Sequence, residues 1–320
     1  LRSLPLVILA GSDRRVGSLP PGVQSFHPLG GGYKGLDLRV ASRPLIEILL
    51  SRVRASRAFD EIYVAGPAQH YAQYLLQAKP VDTDGGLADN VLAAITEVSA
   101  RHPTSPIAFL ACDVLPEPES LAKLIEEYWA VAPCDIWFPV VRMPEDRSRL
   151  ASSIWKPTYQ FVTPDGVTVN TLPGHLGVLD PGALNMPLVK RFIQLAYSTR
   201  NQPLASRRFE IVRGVLKVML SEDFRELFQG YRPSLSWAVL GAARAAAKLR
   251  RGSLPTQKLS HLMRELFIRP SHRRAYPDRQ VHVPIISALS LALDLDTEEE
   301  AKAAGVAWVA SDNGAKNGNS

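Results

Sequence analysis

The chain has 320 residues but only two cysteines, Cys112 and Cys134, each in an apolar segment and in no metal-type spacing. Such scarcity excludes a disulfide framework and a cysteine-based zinc site, and it points to a reducing, cytoplasmic setting. No apolar run is long enough to cross a bilayer, and the first residues lack the charged, apolar and small-residue succession of a secretory leader. There is no internal repeat and no G-x-S-x-G nucleophile elbow. The turn after the first apolar run fits neither G-x-G-x-x-G nor G-x-x-x-x-G-K-[ST], so both familiar nucleotide fingerprints fail there.

What is present is the composition of a soluble globular protein, 46% hydrophobic and 21% charged. The length suits one large domain or two modest ones. The net charge of +6 is uneven: Arg200 to Arg279 holds 17 Lys/Arg against 6 Asp/Glu, which leaves the rest of the chain negative. A basic region of this kind suits phosphates, anionic lipid heads or nucleic acid.

Apolar runs at Leu6–Ala10, Glu61–Gly66, Pro106–Asp113 and Asp135–Val141 read as strands. Between them, "PLIEILLSRV", "LADNVLAAITEVSA" and "PESLAKLIEEYWA" carry apolar residues at helical spacing. Strands apolar on both faces, alternating with helices, predict an α/β fold with a mixed, mostly parallel sheet flanked by helices. Beyond Pro144, "YQFVT" and "GVTVN" around "TPDGV" predict a hairpin. "LGAARAAAKLRRG" predicts a basic helix with Gly252 as its C-cap. The expected organisation is an α/β domain over 1–187 and 281–310, a basic, mainly helical insertion over 188–280, and a disordered tail over 311–320.

In open α/β sheets ligands sit at the carboxyl ends of strands, and four such ends stand out. In "LAGSDRRVG", small residues allow backbone N–H groups near an anion, and Arg14 and Arg15 offer forked donors. In "GGGYKGLDL", glycines precede Lys34, a point charge suited to phosphate. Asp113 follows a buried strand and is placed to hold Mg²⁺. In "LALDLDTEEE", Asp294 and Asp296 alternate along an extended segment, so only one is expected to share a metal with Asp113. Thr297 and Glu300 there make a helix capping box. Each place also has a plain structural reading: a tight corner with solvated arginines, a surface loop with an incidental lysine, an aspartate capping a turn.

Taken in this order, the four pieces resemble the MobA-like, sugar-phosphate nucleotidyltransferase family. Leu9, Ala10, Gly11, Ser12 and an arginine at 14 or 15 match its opening L-A-G-G-x-x-x-R, with Ser12 in place of the second glycine. Lys34 and "RPLI" match its lysine and helix start, Asp113 its metal aspartate, and "DLDTEEE" its closing D-x-D-T-P-E-D. The resemblance implies a nucleotide-diphospho-sugar transferase type of fold. It also implies that Leu9, Ala10, Gly11, Ser12 and an arginine bind a nucleoside triphosphate, with Lys34 on phosphate and Asp113 and Asp294 on Mg²⁺. Gly85, Gly86 and Asn90 fall where the family contacts nucleobase and ribose, and Gly174 and His175 where it meets the acceptor.

The implied reaction moves a nucleoside monophosphate onto a phosphorylated acceptor: a sugar phosphate, a polyol phosphate or a cofactor precursor. An acceptor phosphate is already a nucleophile, so positioning and charge neutralisation suffice and no Ser/His/Asp set is required. A rival reading is a non-catalytic homologue that binds nucleotide or RNA, although no basic stripe interleaved with aromatics supports nucleic acid. In a third, the basic face over 244–251 lies on an anionic membrane surface, a face that also suits a solvated helix or an oligomer contact.

Overall fold

A computed structural model describes residues 4–11, 32–150, 158–198, 241, 244–245, 247–249 and 251–306. Ser12, Arg14, Arg15, Arg250, the greater part of the basic segment and the 311–320 tail lie outside the described residues.

The apolar run near the start forms the strand Leu4–Leu9, in which Leu6, Val7 and Ile8 are fully buried. Burial on both faces places it inside a sheet, and it pairs in parallel with Phe59–Gly66 on one side and Ile107–Ala111 on the other. Successive side chains point to opposite faces. Leu6 and Ile8 accordingly join a core that includes Ile48, Leu49, Leu124 and Ile125, while Val7 joins another with Val91, Ile95 and Val98.

Each crossover helix buries an apolar stripe, although Leu87 and Leu92, expected in the second of them, are only partly buried. Leu45–Ser56 buries Leu45, Ile48, Leu49 and Val53 and ends at Arg57 in the left-handed region, at φ 54°. Leu87–Arg101 buries Val91, Ala94, Ile95 and Val98. Pro118–Val131 starts on a proline, whose fixed φ and missing N–H suit the first turn, and buries Leu121, Leu124, Ile125 and Tyr128.

The main sheet has seven strands in the order Val281–His282, Ile136–Trp137, Leu176–Leu179, Ile107–Ala111, Leu4–Leu9, Phe59–Gly66, Lys79–Asp82. Leu176–Leu179 runs antiparallel to both of its neighbours, and the remaining pairs are parallel. A second sheet has the order Leu254–Pro255, Tyr159–Val162, Thr168–Pro173, Val140–Arg142, Ile285–Ile286. Its Tyr159–Val162 and Thr168–Pro173 strands form the predicted hairpin, closed by Thr163 and Val167.

Three features depart from the expected pattern. The single strand expected over Asp135–Val141 is two, Ile136–Trp137 in the main sheet and Val140–Arg142 in the second. Pro139, which has no N–H for a ladder, stands at the change of sheet. Lys79–Asp82 is an edge strand with only Val81 buried, so it carries no apolar pattern. Leu254–Pro255 lies inside the segment expected to be a helical insertion, yet pairs with Phe161 and Val162. The helix that precedes it ends as predicted: Gly252, at φ 63°, donates to Leu249 and Ser253 donates to Lys248, the two bonds of a Schellman cap. No helix among the described residues is long and apolar enough to cross a membrane.

Because Ile8 has no exposed surface, Ile8→Ala should lower unfolding free energy by about 2–5 kcal/mol. Val167→Ala at the exposed hairpin turn should change it by no more than about 0.5 kcal/mol, with urea titration as the readout.

Candidate active site

The three parallel strands Leu4–Leu9, Phe59–Gly66 and Ile107–Ala111 deliver their C-terminal ends to one edge of the sheet. The first turn is anchored there by backbone bonds: Ala10 donates to Ala65 (2.8 Å) and Cys112 donates to Leu9 (3.2 Å). The Tyr71 hydroxyl donates to the Ala10 carbonyl at 2.7 Å. Gly11 is a glycine for steric reasons, since a Cβ there would fall 2.1 Å from Asn90 Nδ2.

Asn90 lies in the first turn of Leu87–Arg101 and is buried. Its Oδ1 accepts from Thr83 Oγ1 (2.7 Å) and from the Gly85 backbone (3.0 Å), while its own N–H donates to the Gly86 carbonyl (2.9 Å). One amide thus braces the loop carrying Gly85 and Gly86 and packs on Gly11. Four of the residues expected at the nucleotide are therefore in a single contact group.

Lys34 opens the four-residue helix Lys34–Asp37. Its Nζ donates to Asp113 Oδ2 and to Asp296 Oδ1, both at 2.6 Å, and all three side chains are largely buried. Carboxylate oxygens of Asp113, Asp294 and Asp296 lie within 4.8 Å of one another. The expectation that only one of Asp294 and Asp296 could join Asp113 is therefore corrected. That expectation assumed strand alternation, but the chain after the short 3-10 turn Leu289–Leu291 forms no ladder, so period-two geometry does not apply.

Backbone bonds hold this segment in place. Leu295 donates to the Asp113 carbonyl at 2.7 Å. Glu300 Oε2 accepts from the Asp296 and Thr297 backbones (2.7 and 3.1 Å), and the Glu300 N–H donates to Thr297 Oγ1 (3.0 Å). This is the predicted capping box, extended by one residue to grip Asp296 itself.

His175 stands beside the cluster, with Nε2 3.6 Å from Asp294 Oδ1. Its backbone is fixed from both sides: Ala111 donates to its carbonyl (3.1 Å), and its N–H donates to Leu291 (3.0 Å). Gly174 has a packing role, because a Cβ would fall 2.3 Å from the Pro139 carbonyl oxygen.

Burial alone would raise the Asp113 carboxyl, but the adjacent Lys34 charge and hydrogen bond, with His175 nearby, hold it at about 2. Burial would lower Lys34; the two carboxylates outweigh it and keep the ammonium protonated well above its ordinary range. Asp113 Oδ1 is buried and has no hydrogen-bond partner. An all-oxygen, anionic donor set with one unused buried oxygen fits a hard divalent cation such as Mg²⁺.

Sequence reasoning missed several participants. Asp296 stood in view in "DLDTEEE" but was set aside by the alternation argument. Tyr71 carries no motif signal, since its role rests on one contact with Ala10. A second cluster was also missed: Asp135, Asp180 and His272, with ligand atoms again within 4.8 Å. It lies at the opposite edge of the sheet, because Leu179 pairs with Ile107 at the start of that strand. Arg279 already fills it, with Nε 2.9 Å from Asp135 Oδ1 and Nη2 2.5 Å from Asp180 Oδ2, while His272 Nε2 is 3.0 Å from Asp135 Oδ1. A forked guanidinium across two carboxylates makes this a structural ion network.

Residues 7–153 match the profile described as the MobA-like NTP transferase domain. A solved hypothetical transferase from Thermus thermophilus is 19% identical, with a TM-score of 0.54, covering 94% of this chain and 100% of its own. The 4-diphosphocytidyl-2C-methyl-D-erythritol synthase of Anaerococcus prevotii is 12% identical at a TM-score of 0.44, covering 96% of this chain and 98% of its own. A sequence search of curated proteins finds no match.

Two outcomes follow from the charges. Arg279→Ala should destabilise the fold by about 3–5 kcal/mol, because it leaves the fully buried Asp135 carboxylate without its cation. Asp135→Asn in the same chain should recover part of that loss in thermal melts. Asp113, ordinarily at 3.8, is held at about 2 in the folded state. The unfolded chain therefore takes up this proton first, so the stabilisation is complete above pH 3.8 and is lost as pH falls toward 2. Urea midpoints of the wild type should accordingly fall more steeply across that window than those of Asp113→Asn.

Proposed function

We propose that the chain, whose residues 7–153 match the profile of the MobA-like NTP transferase domain, moves a nucleoside monophosphate from a triphosphate to a phosphorylated acceptor. An oxygen of the acceptor phosphate forms a bond to the α-phosphorus. The bond from that phosphorus to the oxygen bridging to the β-phosphate breaks, and the electron pair leaves with pyrophosphate. The acceptor class is a sugar phosphate, a polyol phosphate or a cofactor precursor. The observation that carries this reading is the convergence of Asp113, Asp294, Asp296 and Lys34 at the sheet edge that also presents Gly11.

In this reading Gly11, together with Ser12 and Arg14 or Arg15, receives the triphosphate through backbone N–H groups and guanidinium donors. Lys34 neutralises phosphate charge. The loop of Gly85 and Gly86, braced by Asn90, holds base and ribose, and its contact with Gly11 keeps the two halves of the nucleotide pocket in register. His175, fixed by backbone bonds on both sides, faces the acceptor beside Asp294. Asp113, Asp294 and Asp296 hold Mg²⁺, which when bound supplies positive charge to the reacting phosphates. No general base is called for, because the attacking phosphate is ionised at neutral pH. We assign this chemistry to the α/β domain over 1–187 and 281–310, with 188–280 as an accessory segment.

The test is pyrophosphate release from each common nucleoside triphosphate against a panel of phosphorylated acceptors, with and without Mg²⁺. Asp113→Ala should reduce the Mg²⁺-dependent rate by about 10²–10³-fold, while circular dichroism shows the fold retained. Unchanged turnover in that variant would remove the metal assignment, and no pyrophosphate from any pair would remove the reaction.

A further inference from the structure

Lys34 does more at the carboxylate cluster than await a phosphate. Its ammonium sits 2.6 Å from oxygens of both Asp113 and Asp296, inside a group whose donor atoms span no more than 4.8 Å. A divalent ion bound to those oxygens, at about 2.0–2.1 Å for Mg²⁺, needs the same space. Two cations a few ångströms apart in a largely buried site repel strongly. We propose that Lys34 occupies the cation position of the nucleotide-free protein, so that the lysine and a divalent ion exclude each other. This rests on the reading of the cluster as a metal centre.

The chain allows the exchange. Lysine carries its charge on a flexible four-carbon stem, so Nζ can leave the cluster while the backbone stays in place. Asp113 and Asp296 keep their positions through bonds that do not involve Lys34: Leu295 donates to Asp113, and Glu300 accepts from Asp296. The donor set therefore persists when the ammonium departs. Asp113 Oδ1, which lacks a hydrogen-bond partner, is the oxygen that Lys34 leaves unused. The apparent affinity for metal equals the intrinsic affinity reduced by the fraction of molecules whose lysine is elsewhere. A triphosphate offers Lys34 another anion and so raises that fraction. By linkage, metal raises the affinity for triphosphate to the same extent. Metal and nucleotide then enter together, and the free protein resists loading with metal alone.

The experiment counts Mn²⁺ bound to the full chain without nucleotide, by electron paramagnetic resonance and calorimetry. Lys34→Met should bind Mn²⁺ at least about tenfold more tightly than wild type. Lys34→Gln keeps a hydrogen-bond donor in case the apolar variant fails to fold, and it should behave in the same way. Asp113→Asn, introduced into either variant, should abolish the gain. Equal affinity in wild type and both Lys34 variants would overturn the exclusion, as would a gain that survives Asp113→Asn. Mn²⁺ binding by none of these proteins would overturn the metal reading together with it. Tighter binding in the Lys34 variants, with no pyrophosphate from any substrate pair, would leave the exclusion standing and remove only the proposed reaction.

Discussion

Parallel pairing of Leu4–Leu9 with a strand on each side is the constraint from which the rest of the structure follows. A parallel ladder cannot be closed by a tight turn, so each pairing requires the chain to cross back over a face of the sheet. Leu45–Ser56 and Leu87–Arg101 are crossovers of this kind, and their apolar stripes bury the two faces of Leu4–Leu9 in separate cores. The same constraint gathers the strand ends at one edge. Gly11 and Asp113 are neighbours there because Leu9 and Ala111 are paired residues.

Each edge of the main sheet then has to neutralise buried carboxylates, and it does so with a different cation. At the far edge Arg279 spans Asp135 and Asp180 with a rigid fork and also donates to the Cys134 carbonyl. These contacts pin the chain after Pro270–Ala275 to the sheet. At the edge that presents Gly11 the cation is a lysine, a compact charge on a flexible stem. Guanidinium suits a permanent tie, and ammonium suits a charge that must transfer between partners. Two clusters of similar composition and spread thus differ in what they can do.

Much of this was legible in the chain. Asp113 could be placed because a continuous apolar run must end at the sheet edge, and Gly11 because a small residue after such a run marks a close approach. The capping box at Thr297 and Glu300 was readable from spacing alone. Asp296 was lost because alternation was applied to a segment that has no strand partner. Lys79–Asp82 was lost because an edge strand buries too little to show a pattern. The tie of Arg279 to Asp135 and Asp180 joins distant parts of the chain, and no local spacing encodes it. Local rules found the residues whose roles are local, and missed those defined by the path of the chain.

The edge that presents Gly11 also shows how a side-chain cluster can be set by the backbone. Asp294 and Asp296 reach Asp113 only after the chain has traversed both sheets, and backbone bonds fix their arrival. Leu291 accepts from His175, Leu295 donates to Asp113, and Glu300 binds the backbone of Asp296 and Thr297. These contacts run to the backbone of the segment and do not involve Lys34. Lys34 pairs with Asp113 and Asp296, while backbone bonds hold the placement of the segment. The proposed exchange of Lys34 for a divalent ion requires this separation of the two tasks.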